Sequence, residues 1–310
     1  MKVVLLCNND WANVAYVYEK CLREVDIDAI SFSSKKHHYG YPEQAILWKN
    51  INDIKSYVEE CDVLIFVHSE YIETGVDLNN KIISVIHTGS RYRQNSKKIN
   101  DIFNPLVDIT FSGGDVLGMG AKNEVWIQPA IDIKKIQPFY YKSKDKTIIA
   151  HYPSGSKGYP IINDVIGKLN RKNFMFKYDP INVSWEDNLK RMSECDIYIE
   201  EMNSDQNGIP LYIFGIQAIE AASLGKIVCS RFPMFDKYEE TFGECGLIPT
   251  NTPEILKEKL EEFLSMDDSD FIELQKKSRR WVENCHSYKV IGKRFKTIFN
   301  KLLKEKDNNV

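Results

Sequence analysis

Short runs of β-branched and aliphatic residues recur along this chain with helix-period segments between them. That alternation admits few folds other than parallel sheets flanked by helices. In the first half the runs are KVVLL from Lys2, DAISF from Asp28, DVLIFV from Asp62, KIISVI from Lys81, VDITF from Val107 and EVWIQ from Glu124. Their near-continuous apolar character predicts strands buried on both faces. Helices are expected between them over Trp11–Glu24, Ile51–Cys61 and Ser96–Phe103, the second opened by Asn50 or Asn52 as N-cap.

At Pro138–Lys146 the pattern gives way to FYYKSKDK, polar and aromatic without an apolar period, which reads as a domain linker. A second series follows, with strands TIIAHY, NFMFKY, CDIYIE, KIVCS and GLIP, and helices over 161–170, 185–193, 214–224, 253–264 and 270–285. Two α/β domains are therefore expected, 1–140 and 146–285, and 310 residues with 43 % hydrophobic content can fill two cores. The last segment, from Tyr288, sets Ile291, Phe295, Ile298 and Leu302 on one stripe among lysines. It reads as an amphipathic helix over 288–306 that docks on a core, with a membrane-surface helix as the other reading.

Composition narrows the function classes. With 41 Lys and Arg against 44 Asp and Glu, the net charge of −3 supplies no global field for nucleic acid. The seven cysteines are scattered and never spaced C-x-x-C, so neither a disulfide framework nor a zinc site is expected. MKVVLLCNNDW carries too short an apolar run for a signal peptide or a membrane span. A cytoplasmic protein is expected, with peripheral contact at the inner membrane face as the variant that the basic helix raises.

In open parallel sheets ligands bind beyond the carboxyl ends of the strands, so the residues there are the candidates. After the first strand come Asn8, Asn9 and Asp10, either a ligand-facing turn or simple helix capping. After the fourth, His87-Thr88-Gly89-Ser90-Arg91-Tyr92-Arg93 offers an imidazole, hydroxyls and two guanidinium groups, a set suited to phosphate or hydroxyls. The second domain opens on Pro153-Ser154-Gly155-Ser156-Lys157-Gly158, where small residues admit a ligand and Lys157 offers a point charge for a diphosphate. It lacks Walker A spacing, and Pro, Ser and Gly also make ordinary turns.

The most specific stretch runs from Gly208 through Tyr212, Phe214, Gly215, Ile216 and Glu220 to Lys226. Backbone N–H groups of Gly215 and Ile216 at a helix start would form a dipole-assisted diphosphate seat. Glu220, about one and a half turns into an otherwise apolar helix, is costly unless paired or bonded to a ligand such as ribose hydroxyls. The alternative is an internal ion pair or an exposed face.

These residues, in this order, resemble the retaining GT-B glycosyltransferases of family four, and the likeness runs over most of the chain. HTGSRYR resembles that group's His-Gly-Ser-x-x-Arg segment, and ITFSGGDVLGMGAKNEVWIQPAID its exit from the first domain. HYPSGSKG resembles the loop bearing the donor-phosphate Lys, and FGIQAIEAASLGKIVCS the stretch whose Glu holds the nucleotide ribose. The resemblance implies an α/β GT-B fold, two Rossmann-like domains facing across a cleft, with the C-terminal helix crossing back onto the first domain. It implies donor binding by Ser154, Gly155, Lys157, Tyr212, Phe214, Gly215, Ile216 and Glu220. His87, Arg93 and Asp10 take the catalytic positions, and Asn9 the acceptor side. Two positions depart from the group: Tyr212, eight residues before Glu220, stands where a Glu is common, and Tyr152, five before Lys157, where an Arg is common.

The expected activity is sugar transfer from a UDP- or GDP-linked donor to a glycan, lipid-linked or protein acceptor, with anomeric configuration retained by analogy to the group. No D-x-D pair lies at a strand end, so no metal or other cofactor is expected, and no nucleic-acid partner. The rival reading is a nucleotide-sugar or glycan binding protein that kept the fold and lost transfer. An epimerase or phosphorylase is a third, the latter needing a pyridoxal lysine that nothing here singles out.

Overall fold

The alternating burial of consecutive strand residues organises the first unit. In the computed structural model, which describes residues 1–308 except 38, 144 and 156, Val3, Leu5 and Cys7 enter one core, and Val4 and Leu6 the opposite one. A strand so placed has no solvent face, which is why it reads as an unbroken apolar run. Lys144 and Ser156, which fall in the stretches singled out above, lie outside the described residues, as does His38.

Met1–Ala130 with Ser287–Val310 form one unit and Ile131–His286 the other. Unit 1 holds β1 (Lys2–Asn9), α1 (Val14–Arg23), β2 (Asp28–Lys35), β3 (Ile46–Leu47), α2 (Lys55–Glu60), β4 (Val63–Val67), β5 (Ile82–His87), α3 (Gly89–Phe103), β6 (Ile109–Ser112) and β7 (Glu124–Trp126). The seven strands form a parallel sheet in the order β3-β2-β1-β4-β5-β6-β7, with Leu5 beside both Ser31 and Ile65. Its order reverses between β1 and β4, which opens a crevice past their carboxyl ends.

Unit 2 holds β8 (Thr147–His151), α4 (Tyr159–Gly167), β9 (Phe174–Tyr178), α5 (Trp185–Ser193), β10 (Ile197–Ile199), β11 (Asp205–Gln206), β12 (Ile209–Pro210), α6 (Ile216–Ser223), β13 (Ile227–Ser230), α7 (Phe235–Phe242), β14 (Ile248–Pro249), α8 (Pro253–Ser265) and α9 (Asp268–Cys285). Five strands form a parallel sheet ordered β14-β13-β10-β8-β9, and β11 with β12 makes a separate antiparallel hairpin. The reversal here falls between β8 and β10. Ile149, Ile197, Ile227 and Cys229 of the sheet pack with Leu256, Leu260 and Phe263 of α8.

Two sequence expectations change. The division into units falls at Ala130–Ile131, ahead of the polar stretch at 138–146. That stretch is held on unit 2: Gln275 donates to the Tyr141 carbonyl, Phe139 N–H to that of Leu224 and Ser143 N–H to Asp196 Oδ1, while Arg279 holds the residues just before it through the carbonyls of Ile133 and Ile136. Backbone hydrogen bonds fix it without an apolar period, so its composition looks like a linker. Helix α3 begins at Gly89 rather than Ser96, with a kink at Asn95, and its first turns show no apolar period because only Tyr92 there is buried.

The C-terminal helix expected over 288–306 is α10 (Tyr288–Asp307). Its Ile291, Phe295 and Phe299 are wholly buried in unit 1, and Lys296 donates to the Val25 carbonyl at 2.6 Å. The apolar stripe that raised a membrane-surface reading is thus spent on the core. Among the described residues no helix is long and apolar enough to cross a membrane.

Candidate functional site

At the unit 2 reversal, the loop leaving β8 and the residues leaving β10 pack on each other. Gly158 has φ +79°, and a Cβ there would lie 2.7 Å from Met202 Cβ and 2.8 Å from Asn203 N, so only glycine lets the two backbones approach. Met202 N–H donates to the Lys157 carbonyl at 3.1 Å. This contact carries the Lys157 side chain to the start of α6.

There its ammonium meets two acceptors. Nζ lies 2.5 Å from Glu200 Oε1 and 2.8 Å from Gln217 Oε1. Gln217 Nε2 donates to the Tyr152 carbonyl at 3.1 Å, which fixes the amide with its oxygen toward the lysine. Ser230 Oγ donates to Glu200 Oε2 at 3.1 Å. Glu200 is 1 % exposed and the Lys157 side chain 17 %, so the pair is open to solvent only on the lysine side. A buried pair of this kind contributes little net stability, yet losing one partner strands a charge.

Glu220 lies deeper in α6. Trp185 Nε1, at the first residue of α5, donates to its Oε1 at 2.8 Å. Burial raises the Glu220 carboxyl to about 7, against the lowering effects of the Trp185 hydrogen bond and the Lys157 charge. Neighbouring Glu201 is also raised to about 7, by burial and then by the Glu200 charge, while Asn203 N–H opposes the rise. A carboxyl that changes protonation near neutrality beside a fixed ammonium is a chemistry-bearing arrangement.

The other residues named for this unit have separate places. Ser154 and Gly155 are exposed, Gly155 with φ +110°. Gly215 is the N-cap of α6 with no side-chain cap, and Ile216 is its first helical residue. A helix start without a capping side chain leaves its backbone donors to a ligand or water. Tyr212 is 44 % exposed in the loop ahead of α6. The Phe214 ring turns inward, edge-on to Phe232 at 5.0 Å and to Trp281 at 5.3 Å, so its side chain serves the core and only its backbone can face a ligand.

In unit 1, Asp10 and His87 are buried, and Asn9 and Arg93 are half-buried. Asp10 accepts from Ala15 N–H at 2.8 Å and Tyr16 N–H at 3.2 Å, capping α1, and its Oδ1 is 3.2 Å from His68 Nε2. His68 Nδ1 lies 3.0 Å from Thr88 Oγ1. Both His68 and Ser69 have positive φ, a costly backbone at the end of β4. Ser69 Oγ is 2.8 Å from His87 Nδ1, and the His87 ring stacks on Tyr92 at 3.9 Å. His87 is fully buried, and burial lowers its pKa to about 3, so the ring is neutral.

Asn9 N–H and Asn8 N–H both point at Glu70 Oε2, at 3.4 and 2.7 Å, while Arg91 donates to Glu70 Oε1 at 2.6 Å. Arg93, its side chain almost covered, is ion-paired with Asp115, which also accepts from Gly89 N–H. Burial raises the Asp115 carboxyl and the Arg93 charge opposes it. His87 thus has a partner at Nδ1 and a stacked ring, while its Nε2 is buried without a hydrogen-bond partner among the described residues, and Arg93 is held by Asp115. The strand-end cluster of unit 1 centres on Asp10, His68 and Glu70.

No known family profile matches the sequence, and no curated protein matches it. Solved structures do. An alpha-glucosyltransferase in complex with UDP is 14 % identical over 96 % of this chain and 99 % of its own, with a TM-score of 0.65. HepE of Anabaena, in complex with UDP and glucose, is 10 % identical over 97 % and 100 %, with a TM-score of 0.63. Sucrose-phosphate synthase of Thermosynechococcus elongatus is 11 % identical over 98 % and 100 %, with a TM-score of 0.61.

The chain has the GT-B fold.

Within that GT-B fold several site residues escape sequence reasoning. Glu200 and Glu201 end an apolar run, IYIEE, and two acids directly after a buried strand were the available signal. Trp185 and Gln217 carry none, since one opens a helix and the other sits in a helical stretch like any polar residue. His68 and Glu70 follow β4 as the Asn8–Asp10 turn follows β1, so the strand-end rule applied to both turns would have found them.

Proposed function

We propose that this chain is a glycosyltransferase that takes a sugar from a nucleoside-diphosphate donor bound on unit 2. The observation that carries the reading is Lys157, held by Glu200 and Gln217 at the uncapped start of α6, with Glu220 in the same helix. In this assignment the Lys157 ammonium and the first N–H groups of α6 receive the diphosphate, and Glu220 accepts the ribose hydroxyls. Fixed positive groups at the leaving diphosphate stabilise the charge that develops there as the sugar departs. UDP-linked sugars are the first donors to test, because structures sharing this fold bind UDP. GDP-linked sugars come next.

Transfer is proposed to be metal-independent and retaining. A glycan, lipid-linked or protein acceptor is assigned to the Asn9 side of unit 1. One structure of similar fold is an alpha-glucosyltransferase in complex with UDP-glucose and DNA. A net charge of −3 gives this chain no global pull on a polyanion, so DNA is not its proposed acceptor.

Sugar release or transfer from UDP- and GDP-sugars, measured in EDTA, tests the assignment. Lys157→Ala and Glu220→Ala should each lower it roughly 100-fold, the scale of losing one electrostatic contact to the transition state. Full activity in both variants would remove the assignment, and abolition by EDTA the metal-independent step. The exposed Tyr212, where the group that this sequence resembles commonly carries a Glu, favours one other reading, a nucleotide-sugar binding protein without transfer. Binding of UDP with no turnover of any donor would select it.

A further inference from the structure

The Lys157 ammonium is already occupied by an anion of the protein's own. Glu200 Oε1 lies 2.5 Å from it, and a Cβ built on Gly215 would be 2.9 Å from that same oxygen and 3.6 Å from the ammonium. The Glu200 carboxylate therefore sits against the uncapped N-terminus of α6 and on the lysine together, the two features that would receive a donor diphosphate. Ser230 Oγ holds its other oxygen, and the residue is 1 % exposed.

We propose that Glu200 is an internal stand-in for the donor phosphate, holding Lys157 in place in the empty site and giving it up when the diphosphate arrives. The inference rests on the donor-site reading above and adds a residue that controls donor affinity. Lys157 and Glu200 together carry no net charge, and Tyr152, five residues before Lys157, lies under the Arg191 guanidinium, 4.7 Å from its ring centre. The incoming diphosphate thus meets one ammonium and one buried carboxylate. Like charges a few ångströms apart in a water-poor site repel strongly, so Glu200 weakens nucleotide binding while it keeps the lysine ordered.

The device has a clear advantage. A lone ammonium at the end of a flexible four-carbon stem samples many rotamers and loses that freedom on binding. With Glu200 and Gln217 as partners it is ordered beforehand. Gln217 can retain the lysine while Glu200 is replaced by phosphate, so the exchange swaps one anion for another without moving the ammonium far. The balance falls between affinity and release: a site that held the diphosphate without an internal competitor would release the product nucleotide more slowly.

The test is the binding of UDP, GDP and inorganic pyrophosphate to the full chain, with uridine and guanosine as controls that lack phosphate. Glu200→Gln keeps the shape and an acceptor for Lys157 but removes the charge. It should tighten the diphosphates about tenfold, the scale expected for removing one nearby like charge, and leave the nucleosides unchanged. Glu200→Asp, which withdraws the carboxylate by one methylene, should move the same way by less and serves if the Gln variant does not fold. Diphosphate binding that Lys157→Ala weakens but the Glu200 variants leave unchanged or weaken would overturn the stand-in role and leave the donor site standing. Failure of UDP, GDP and pyrophosphate to bind the parent, or binding that Lys157→Ala does not alter, would overturn both.

Discussion

Trp185 Nε1 donates to Glu220 Oε1 at 2.8 Å, tying the first residue of α5 to the middle of α6 through a carboxyl that is 3 % exposed. Burial holds that carboxyl at about 7, above its usual 4.5. The folded chain therefore binds more protons than the unfolded one between these values, and stability falls as pH rises through the window, by up to roughly 3 kcal/mol. Glu220→Gln keeps an acceptor for Trp185 and removes the charge. The unliganded variant should gain on its parent between pH 5 and pH 8 in urea unfolding. With the carboxylate as ribose acceptor, the parent's UDP affinity should rise over that range relative to the variant's. A stability difference that does not change with pH would place the carboxyl back in the ordinary range.

His87 tests the opposite sign in unit 1. Its neutral ring is locked between Ser69 and Tyr92, with burial lowering its pKa to about 3. The unfolded chain takes up a proton below about 6.5, so this stability is present above that pH and is lost as pH falls toward 3, at about 1.4 kcal/mol per pH unit. His87→Phe preserves the stack and removes the titration, at a cost near 1 kcal/mol for the hydrogen bond to Ser69. Urea unfolding should show the parent more stable at pH 7 and the variant more stable by pH 5. Parallel pH profiles would contradict a neutral buried ring.

The central strands of both sheets are legible in the sequence because two-sided burial writes an unbroken apolar run for them. What the runs cannot carry is strand order. Lys157 and Glu200 are 43 residues apart and meet because β8 and β10 are neighbours. Arg93 reaches Asp115 because β5 and β6 are neighbours. Residue types at strand ends were therefore readable and their partners were not: His87 meets Ser69 and Tyr92, and Arg93 meets Asp115. Elements of two residues, β3 and the β11–β12 hairpin, are too short and too exposed to show a period. Gly89–Asn95 hides a helix because Tyr92 is its only buried residue.

Arg279 fixes the boundary that composition misplaced. Its guanidinium donates to the carbonyls of Ile133, Ile136 and Ser223 at 2.7–2.8 Å, joining the segment after Ala130 to α6 and α9. Arg279→Met fills similar space and leaves three carbonyls without that donor, which should cost about 3 kcal/mol or more. Urea unfolding measures the loss. Trypsin should cut after Lys134 or Lys135 faster in the variant than in the parent as the segment loosens. Unchanged cleavage with lowered stability would mean that other contacts hold this segment.

Gly292 decides whether α10 can lie on α1. A Cβ at this position would stand 1.9 Å from the Cys21 carbonyl oxygen and 3.2 Å from Val25 Cγ1, so the two helices touch through backbone. Since Ile291, Phe295 and Phe299 pack directly around that contact, the helix cannot shift without opening the unit 1 core. Helix propensity pulls the other way: alanine improves an isolated helix by about 1 kcal/mol over glycine. Overpacking of this severity costs about 2–3 kcal/mol, and the clash is with backbone, which cannot rotate aside. Gly292→Ala should therefore lower the urea midpoint, and Gly292→Val should lower it further. A midpoint raised by alanine would show that propensity governs here and that α10 has room to move away from Cys21.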